Sequence, residues 1–207
     1  MTFDVYRFFY AMIASHRPII LASSSPRRAH LLGVLGLPFT VRESGVEEII
    51  DDTLAPQDIV RSLALLKANT AASQLTSGIV IGADTIVVLD GKILGKPATK
   101  VEAVGMLLAL SGRTHTVFTG FALVDAESKK SYIDFERTEV TFRALHRDEI
   151  ERYVAAGSPM DKAGAYGIQD DYGAVFVEKI DGCFYNVVGF PISKFYTALT
   201  KFIDELN

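Results

Sequence analysis

A single cysteine, Cys183, stands in a chain of 207 residues. That excludes an intramolecular disulfide framework and any cysteine-cluster metal site, and makes a reducing, cytoplasmic setting the expectation. Histidine is scarce too: His16, His30, His115 and His146 are the only four, and none stands at ligand spacing from another. A histidine-based metal centre is therefore not expected, and each is read as an isolated surface or capping residue. No apolar run reaches the roughly 18 residues of a spanning helix. The most apolar stretch, Gly78 to Leu89, is broken by Asp84. The N-terminal MTFDVYRFFYAMIASHRP has no basic lead region, so it reads as a poor signal peptide and rather as an amphipathic extension over residues 1–17 packing its aromatics on one domain of residues 18–207. Repeats, low-complexity tracts and long linkers are missing as well. Positive charge is in slight deficit, with 21 Lys and Arg against 25 Asp and Glu. A net charge of -4 argues against a nucleic acid polymer as the main partner, but not against a small phosphorylated ligand held by a few local cations.

What is there is a chain 49% apolar and 22% charged, enough to build a sizeable core. Short apolar runs alternate with helical periodicity. Pro18 to Ala22 and Phe39 to Arg42 read as strands, and Ser25-Pro26 opens a helix ending near Gly33 to Gly36. Ile59, Leu63, Leu66 and Ala71 are spaced for a helix over about Pro56 to Gln74. Ile79 to Leu89 is strand-like and turns at Asp90-Gly91 into Lys92-Ile93-Leu94. Thr99 and Glu102 form a capping box for a helix to Leu110. Two β-rich stretches follow, Thr114 to Val124 and Ser131 to Arg143, bending at Lys129-Lys130. Asp148 to Ala156 and Ile192 to Leu206 read as helices, and Val175 to Ile180 as a strand. The expected class is α/β with a mixed sheet.

Four segments carry residues suited to chemistry. In Ser23-Ser24-Ser25-Pro26-Arg27-Arg28, Ser25 suits an N-cap and Pro26 the first helical position. Two arginines then fall in the first turn, where the helix dipole disfavours cations. An anion bound there by backbone N–H groups, serine hydroxyls and guanidinium groups would account for them, whereas the alternative is two solvated arginines on an ordinary capped helix. In Gly82-Ala83-Asp84-Thr85, an ionised carboxylate lies within a buried strand, a costly placement unless it is paired, holds a metal or orients a water. The preceding glycine suggests a bulge or a close ligand. Gly95-Lys96-Pro97 is no Walker A loop, for Gly91 stands too close and proline replaces the hydroxyl residue, yet Lys96 remains a candidate phosphate ligand or else a solvated turn. In Asp161-Lys162-Ala163-Gly164-Ala165-Tyr166-Gly167-Ile168-Gln169, two glycines flank an aromatic and lead to an amide, a set that could line a flat ligand with Gln169 reading its edge; alone it would be an irregular loop. No G-x-S-x-G elbow is present.

Taken in order, LASSSPRR (Leu21 to Arg28), GADTIVVLDGKILGKP (Gly82 to Pro97), LSGRTH (Leu110 to His115) and MDKAGAYGIQ (Met160 to Gln169) resemble the Maf family of septum formation proteins, which are nucleoside triphosphate pyrophosphatases. The resemblance runs from about Pro18 to the C-terminus. It implies a twisted mixed sheet with flanking helices in two lobes around a cleft, like that of inosine triphosphate pyrophosphatases. It implies hydrolysis of a nucleoside triphosphate to the monophosphate and pyrophosphate with a divalent cation, Mg²⁺ or Mn²⁺. By match to the family motifs, Asp84 is the proton acceptor. Ser23, Arg28, Glu48, Lys67 and Lys96 line the phosphate and metal site, with Glu48 and Asp84 as the metal carboxylates. Arg27, Thr85 and Gln169 match positions associated with base choice, and KAGAYGIQ resembles the dTTP/UTP branch. The substrate is the one partner this implies, with no membrane and with a homodimer left open. The rival expectation is a nucleotide-binding regulator of cell division with negligible turnover.

Overall fold

The computed structural model describes residues 17–157, 159–169 and 172–206. Almost all of the expected N-terminal extension lies outside the described residues. Among the described residues seven strands form one mixed sheet: β1 (Ile19–Leu21), β2 (Phe39–Val41), β3 (Ile79–Leu89), β4 (Lys92–Leu94), β5 (Thr114–Asp125), β6 (Ser131–Phe142) and β7 (Val177–Asp181). Their order is β2-β1-β3-β5-β6-β7, with β4 paired to β3. Six α-helices are described: α1 (Pro26–Val34), α2 (Pro56–Ala72), α3 (Lys100–Leu110), α4 (Arg147–Ala155), α5 (Phe184–Val188) and α6 (Ile192–Asp204). The expected α/β class is thus observed. No described helix is long and apolar enough to cross a membrane.

The chain divides into two compact units. One comprises Met1–Asp84, Gly120–Phe135 and Gly189–Asn207; the other comprises Thr85–Thr119 and Glu136–Val188. In the first unit β1 runs parallel to both β2 and β3, with Ile19 opposite Phe39 and Ile79. Strands buried on both faces read as near-continuous apolar runs, as Ile79–Leu89 does on either side of Asp84 and Thr85. Helix α2 lies on this sheet through small side chains: Ala64, Ala68, Ala71 and Ala72 pack against Ile20, Ala22, Val80, Ala122 and Val124. Two glycines let it come so close. A Cβ on Gly82 would stand 2.1 Å from the Ala64 carbonyl oxygen, and one on Gly120 would stand 2.3 Å from that of Val60. The close approach expected of a ligand at Gly82 is therefore corrected: the neighbour is a helix backbone.

In the second unit, Asp90 and Gly91 both have positive φ (50° and 76°), the geometry of a tight hairpin turn, and place β4 antiparallel to β3. Helix α3 is capped by Thr99 Oγ1, which accepts from Glu102 N at 3.2 Å. The reciprocal arm reaches one residue further back than a capping box requires, from Ala98 N to Glu102 Oε2 at 2.8 Å. Helix α4 is held by Glu149, whose Oε1 accepts from His146 N at 2.7 Å while Arg143 grips both carboxylate oxygens. That grip lowers the Glu149 pKa to about 2. The strand expected over Val175 to Ile180 begins later, at Val177, because Tyr172–Phe176 forms a 3₁₀ segment. Helix α3 packs on α4 and on the short turn Ala163–Ala165.

Candidate functional site

Helix α1 begins as its sequence requires. Ser25 is the N-cap, its hydroxyl accepting from Arg28 N at 3.4 Å, and Pro26 occupies the first turn. Ser23 Oγ accepts from Ser25 N and from Arg28 Nη1, each at 3.3 Å, and Arg28 Nε donates to Gly189 O at 3.0 Å. Arg28 is thus folded back across the helix start and is not a solvated arginine. Burial lowers its pKa from the ordinary arginine value, the Asp84 and Glu48 carboxylates raise it, and Arg27 lowers it. Arginine remains charged throughout. Arg27 is half-buried in the same turn.

Lys67 is the residue that joins this corner to the sheet. The spacing that predicted α2 included Leu66, yet Leu66 is 44% exposed and Lys67 only 6%. The buried stripe runs Ile59, Val60, Leu63, Ala64, Lys67, Ala68 and Ala71, so the lysine takes a core-facing position one turn after Leu63. Its Nζ lies 2.5 Å from Asp84 Oδ1 and 2.8 Å from Glu48 Oε1. Asp84 is itself 5% exposed, while the Glu48 side chain is 46% exposed. A lone buried ammonium or carboxylate would be strongly disfavoured, and here each answers the other. The first unit therefore brings together Ser23, Arg28, Glu48, Lys67 and Asp84: two cations and two carboxylates around a capped helix N-terminus. Backbone N–H groups, a guanidinium and an ammonium suit a phosphate chain, and the carboxylates suit a hard cation or a water.

A model of the Maf-like protein family matches residues 18–202. The chain belongs to the Maf-like family. Relatives named dTTP/UTP pyrophosphatase bear this out. One from Desulforamulus reducens is 50% identical over 190 residues, covering 92% of this chain and 99% of the relative. Another from Pelotomaculum thermopropionicum is 50% identical over 186 residues, covering 90% of this chain and 97% of the relative. A third from Moorella thermoacetica is 50% identical over 184 residues, covering 89% and 94%.

The remaining candidates of this Maf-like chain belong to the second unit. Lys96 is exposed in the loop after β4, and Thr85 and Gln169 are half-buried. Gly164 N donates to Gly95 O at 3.1 Å, so the KAGAYGIQ segment is tied to the Gly95-Lys96-Pro97 loop. Thr85 is placed from behind: its hydroxyl lies 3.0 Å from that of Thr119, which donates to Asn186 O at 3.0 Å. Asn186, fully buried, donates to Val117 O and Thr138 Oγ1 at 3.0 and 2.9 Å. Neither Thr119 nor Asn186 carries a motif signal, because their roles exist only through contacts far along the chain. Two expectations need correcting. The aromatic of KAGAYGIQ does not wall a flat ligand, since Tyr166 is 6% exposed and packs edge-to-face on Phe142 at 4.7 Å. His115 is not a surface or capping histidine but is 2% exposed. His146 is the N-cap of α4 and His30 is exposed, as read, whereas His16 lies outside the described residues.

Proposed function

We propose that this chain hydrolyses dTTP and UTP to the monophosphate and pyrophosphate. The observation that carries the reading is the buried Lys67–Asp84 pair with Glu48, next to the Arg28-bearing helix start. Simple triphosphate binding would call for the cations alone; a buried carboxylate adds a group able to accept a proton.

In this reading Arg28, Ser23 and the α1 N–H groups take the phosphates, with Lys96 as a further phosphate ligand and Arg27, Thr85 and Gln169 reading the base. Lys67 takes up Asp84 Oδ1 and leaves Oδ2 for the proton of a water attacking the α-phosphorus. The bond from that phosphorus to the bridging oxygen breaks, and pyrophosphate departs with the electron pair. Little covalent work falls to the protein, and most of the acceleration comes from fixed charges facing the charge that develops.

The family implies a divalent cation, and the residues fit one. Among the described residues no cluster of three or more His, Cys, Asp or Glu could hold a metal by itself. Two carboxylates meeting at one ammonium, however, form a hard-oxygen donor set of the kind Mg²⁺ or Mn²⁺ shares with substrate phosphates. Glu48 and Asp84 would hold the ion, whose charge would offset that of the phosphate oxygens.

The test is a panel of nucleoside triphosphates with Mg²⁺ or Mn²⁺, scoring pyrophosphate against orthophosphate. Pyrophosphate from dTTP and UTP is the expected product. Orthophosphate released first would refute cleavage at the α-phosphorus, and absence of any product would favour a binding regulator.

A further inference from the structure

His115 is a buried titratable group with no part in the reading above. Its Nε2 lies 2.8 Å from Tyr166 Oη, and its ring meets those of Phe142 and Tyr166 edge-on at 5.0 and 5.4 Å. Its Nδ1 is buried with no hydrogen-bond partner among the described residues. As a filler the imidazole is a poor choice. Phenylalanine would occupy the same edge-on slot without burying an unpaired nitrogen. What the imidazole adds is the bond to Tyr166.

Tyr166 belongs to the 162–169 segment that ends in Gln169, and this segment needs support from outside itself. Gly164 and Ala165 both have left-handed φ, 69° and 60°, an unfavourable conformation for the alanine. The turn is closed by Ala165 N donating to Lys162 O at 3.1 Å, and tied down by Gly164 N donating to Gly95 O at 3.1 Å. At Tyr166 the chain switches to extended backbone (φ -146°, ψ 157°), carrying the ring into the aromatic cluster. Gly164 on Gly95 and Tyr166 on His115 are thus two fixed points. Together they set the direction in which the chain continues to Gln169.

We propose that His115 is a positioning residue for base choice: its bond to Tyr166 Oη locks the 162–169 segment so that the Gln169 amide meets the pyrimidine edge in one orientation. The proposal rests on the reading of Gln169 as a base reader. Uracil and thymine offer an acceptor–donor–acceptor edge, and an amide held in one orientation can accept from N3–H while donating to a neighbouring carbonyl. Against cytosine the same orientation sets acceptor against acceptor. A loosely held amide could rotate and lose that distinction.

Full-length His115→Phe and Tyr166→Phe each remove the bond from one side and keep an aromatic ring. The readouts are steady-state kinetics on dTTP and CTP, and amide hydrogen exchange in the free protein. Each single variant is expected to raise KM for dTTP and lower the dTTP-to-CTP ratio of kcat/KM by about 3- to 10-fold, with kcat at saturating dTTP changed less than about twofold. The double variant should be no worse than either single one, because both remove the same bond. Amides of residues 163–167 should exchange faster while those of β5 do not. Should His115→Phe fail to fold, Tyr166→Phe, which lacks one oxygen only, decides the matter. Unchanged ratios and exchange, or equal kcat losses on every nucleotide, overturn the proposal. Gln169→Leu, run in parallel, separates the two readings. If it alone collapses the ratio, the base reader stands and the role of His115 falls. If it leaves the ratio intact while the other two variants lower it, Gln169 is not the reader and His115 positions another residue of the segment.

Discussion

Gly82→Ala probes the contact that places Lys67 against Asp84. An added Cβ would stand 2.1 Å from Ala64 O, 2.8 Å from Ala68 N and 3.0 Å from Ala68 Cβ. The first of these is about 1.3 Å inside the 3.4 Å where ordinary contact begins. The oxygen and the nitrogen are helix backbone and cannot rotate aside, so α2 must lift or β3 must sink by on the order of 1 Å. Overpacking of this kind costs about 1–3 kcal/mol, which in a chain of this size lowers Tm by roughly 2–12 °C. Ala64 and Ala68 bracket Lys67, and Asp84 follows Gly82 by two positions, so the same shift opens the 2.5 Å Lys67–Asp84 contact. A misplacement near 1 Å at reacting groups costs on the order of 10²-fold in rate. The assay pairs calorimetric Tm with pyrophosphate release from dTTP, measured well below the variant's Tm. Gly120→Ala is the comparison. Its Cβ meets Val60 O at 2.3 Å, nearly two turns before Lys67, so it should lower Tm comparably and lower the rate less. If Gly82→Ala loses stability but keeps the full rate, the close helix approach does not position the lysine, and the argument fails.

Three further outcomes are expected. Asp84→Asn keeps the shape and lets Lys67 keep an oxygen partner, so dTTP should still bind by calorimetry while turnover falls by about 10²-fold or more; near-normal turnover would remove Asp84 from the mechanism. Arg28→Ala should weaken triphosphate binding by about 1.5–3 kcal/mol, read as Kd on folded protein, and lower Tm as well, because its bonds to Gly189 O and Ser23 are lost; an unchanged Kd would leave Arg28 a purely structural tether. Burial lowers the His115 pKa from 6.5 to about 4, so the unfolded chain binds a proton there that the folded chain does not. The sign follows: this stability is whole above pH 6.5 and is lost as pH falls toward 4, at about 1.4 kcal/mol per unit and about 3 kcal/mol in all. Urea unfolding of wild type and His115→Phe between pH 7 and 4.5 checks it, and equal slopes would refute it.

Much of the architecture was legible along the chain because its signals are local. Alternation and periodicity act within a strand or a few helical turns, and so the α/β class and most elements follow from short windows. Ser25-Pro26 announced α1, Thr99 announced α3, and Asp90-Gly91 announced the hairpin, since a cap or a tight turn is built from neighbouring residues. The motifs likewise named Asp84, Arg28 and Lys96 before any contact was known. The tertiary structure alone decided what those residues touch. Lys67 meets Asp84 across 17 positions, and His115 meets Tyr166 across 51. Helical spacing on α2 admitted Leu66 to the core and offered no reason to bury a lysine; the carboxylate on β3 supplies that reason. Gly82 looked like room for a ligand, because a missing side chain does not say which neighbour fills the space, and the neighbour is α2. The isolated histidine on β5 read as a surface or capping residue, whereas in the fold it is buried and meets the rings of Phe142 and Tyr166 edge-on. Burial and pairing belong to the closed fold, because the free energy of a buried charge depends on what answers it across the interior and not on its neighbours in sequence.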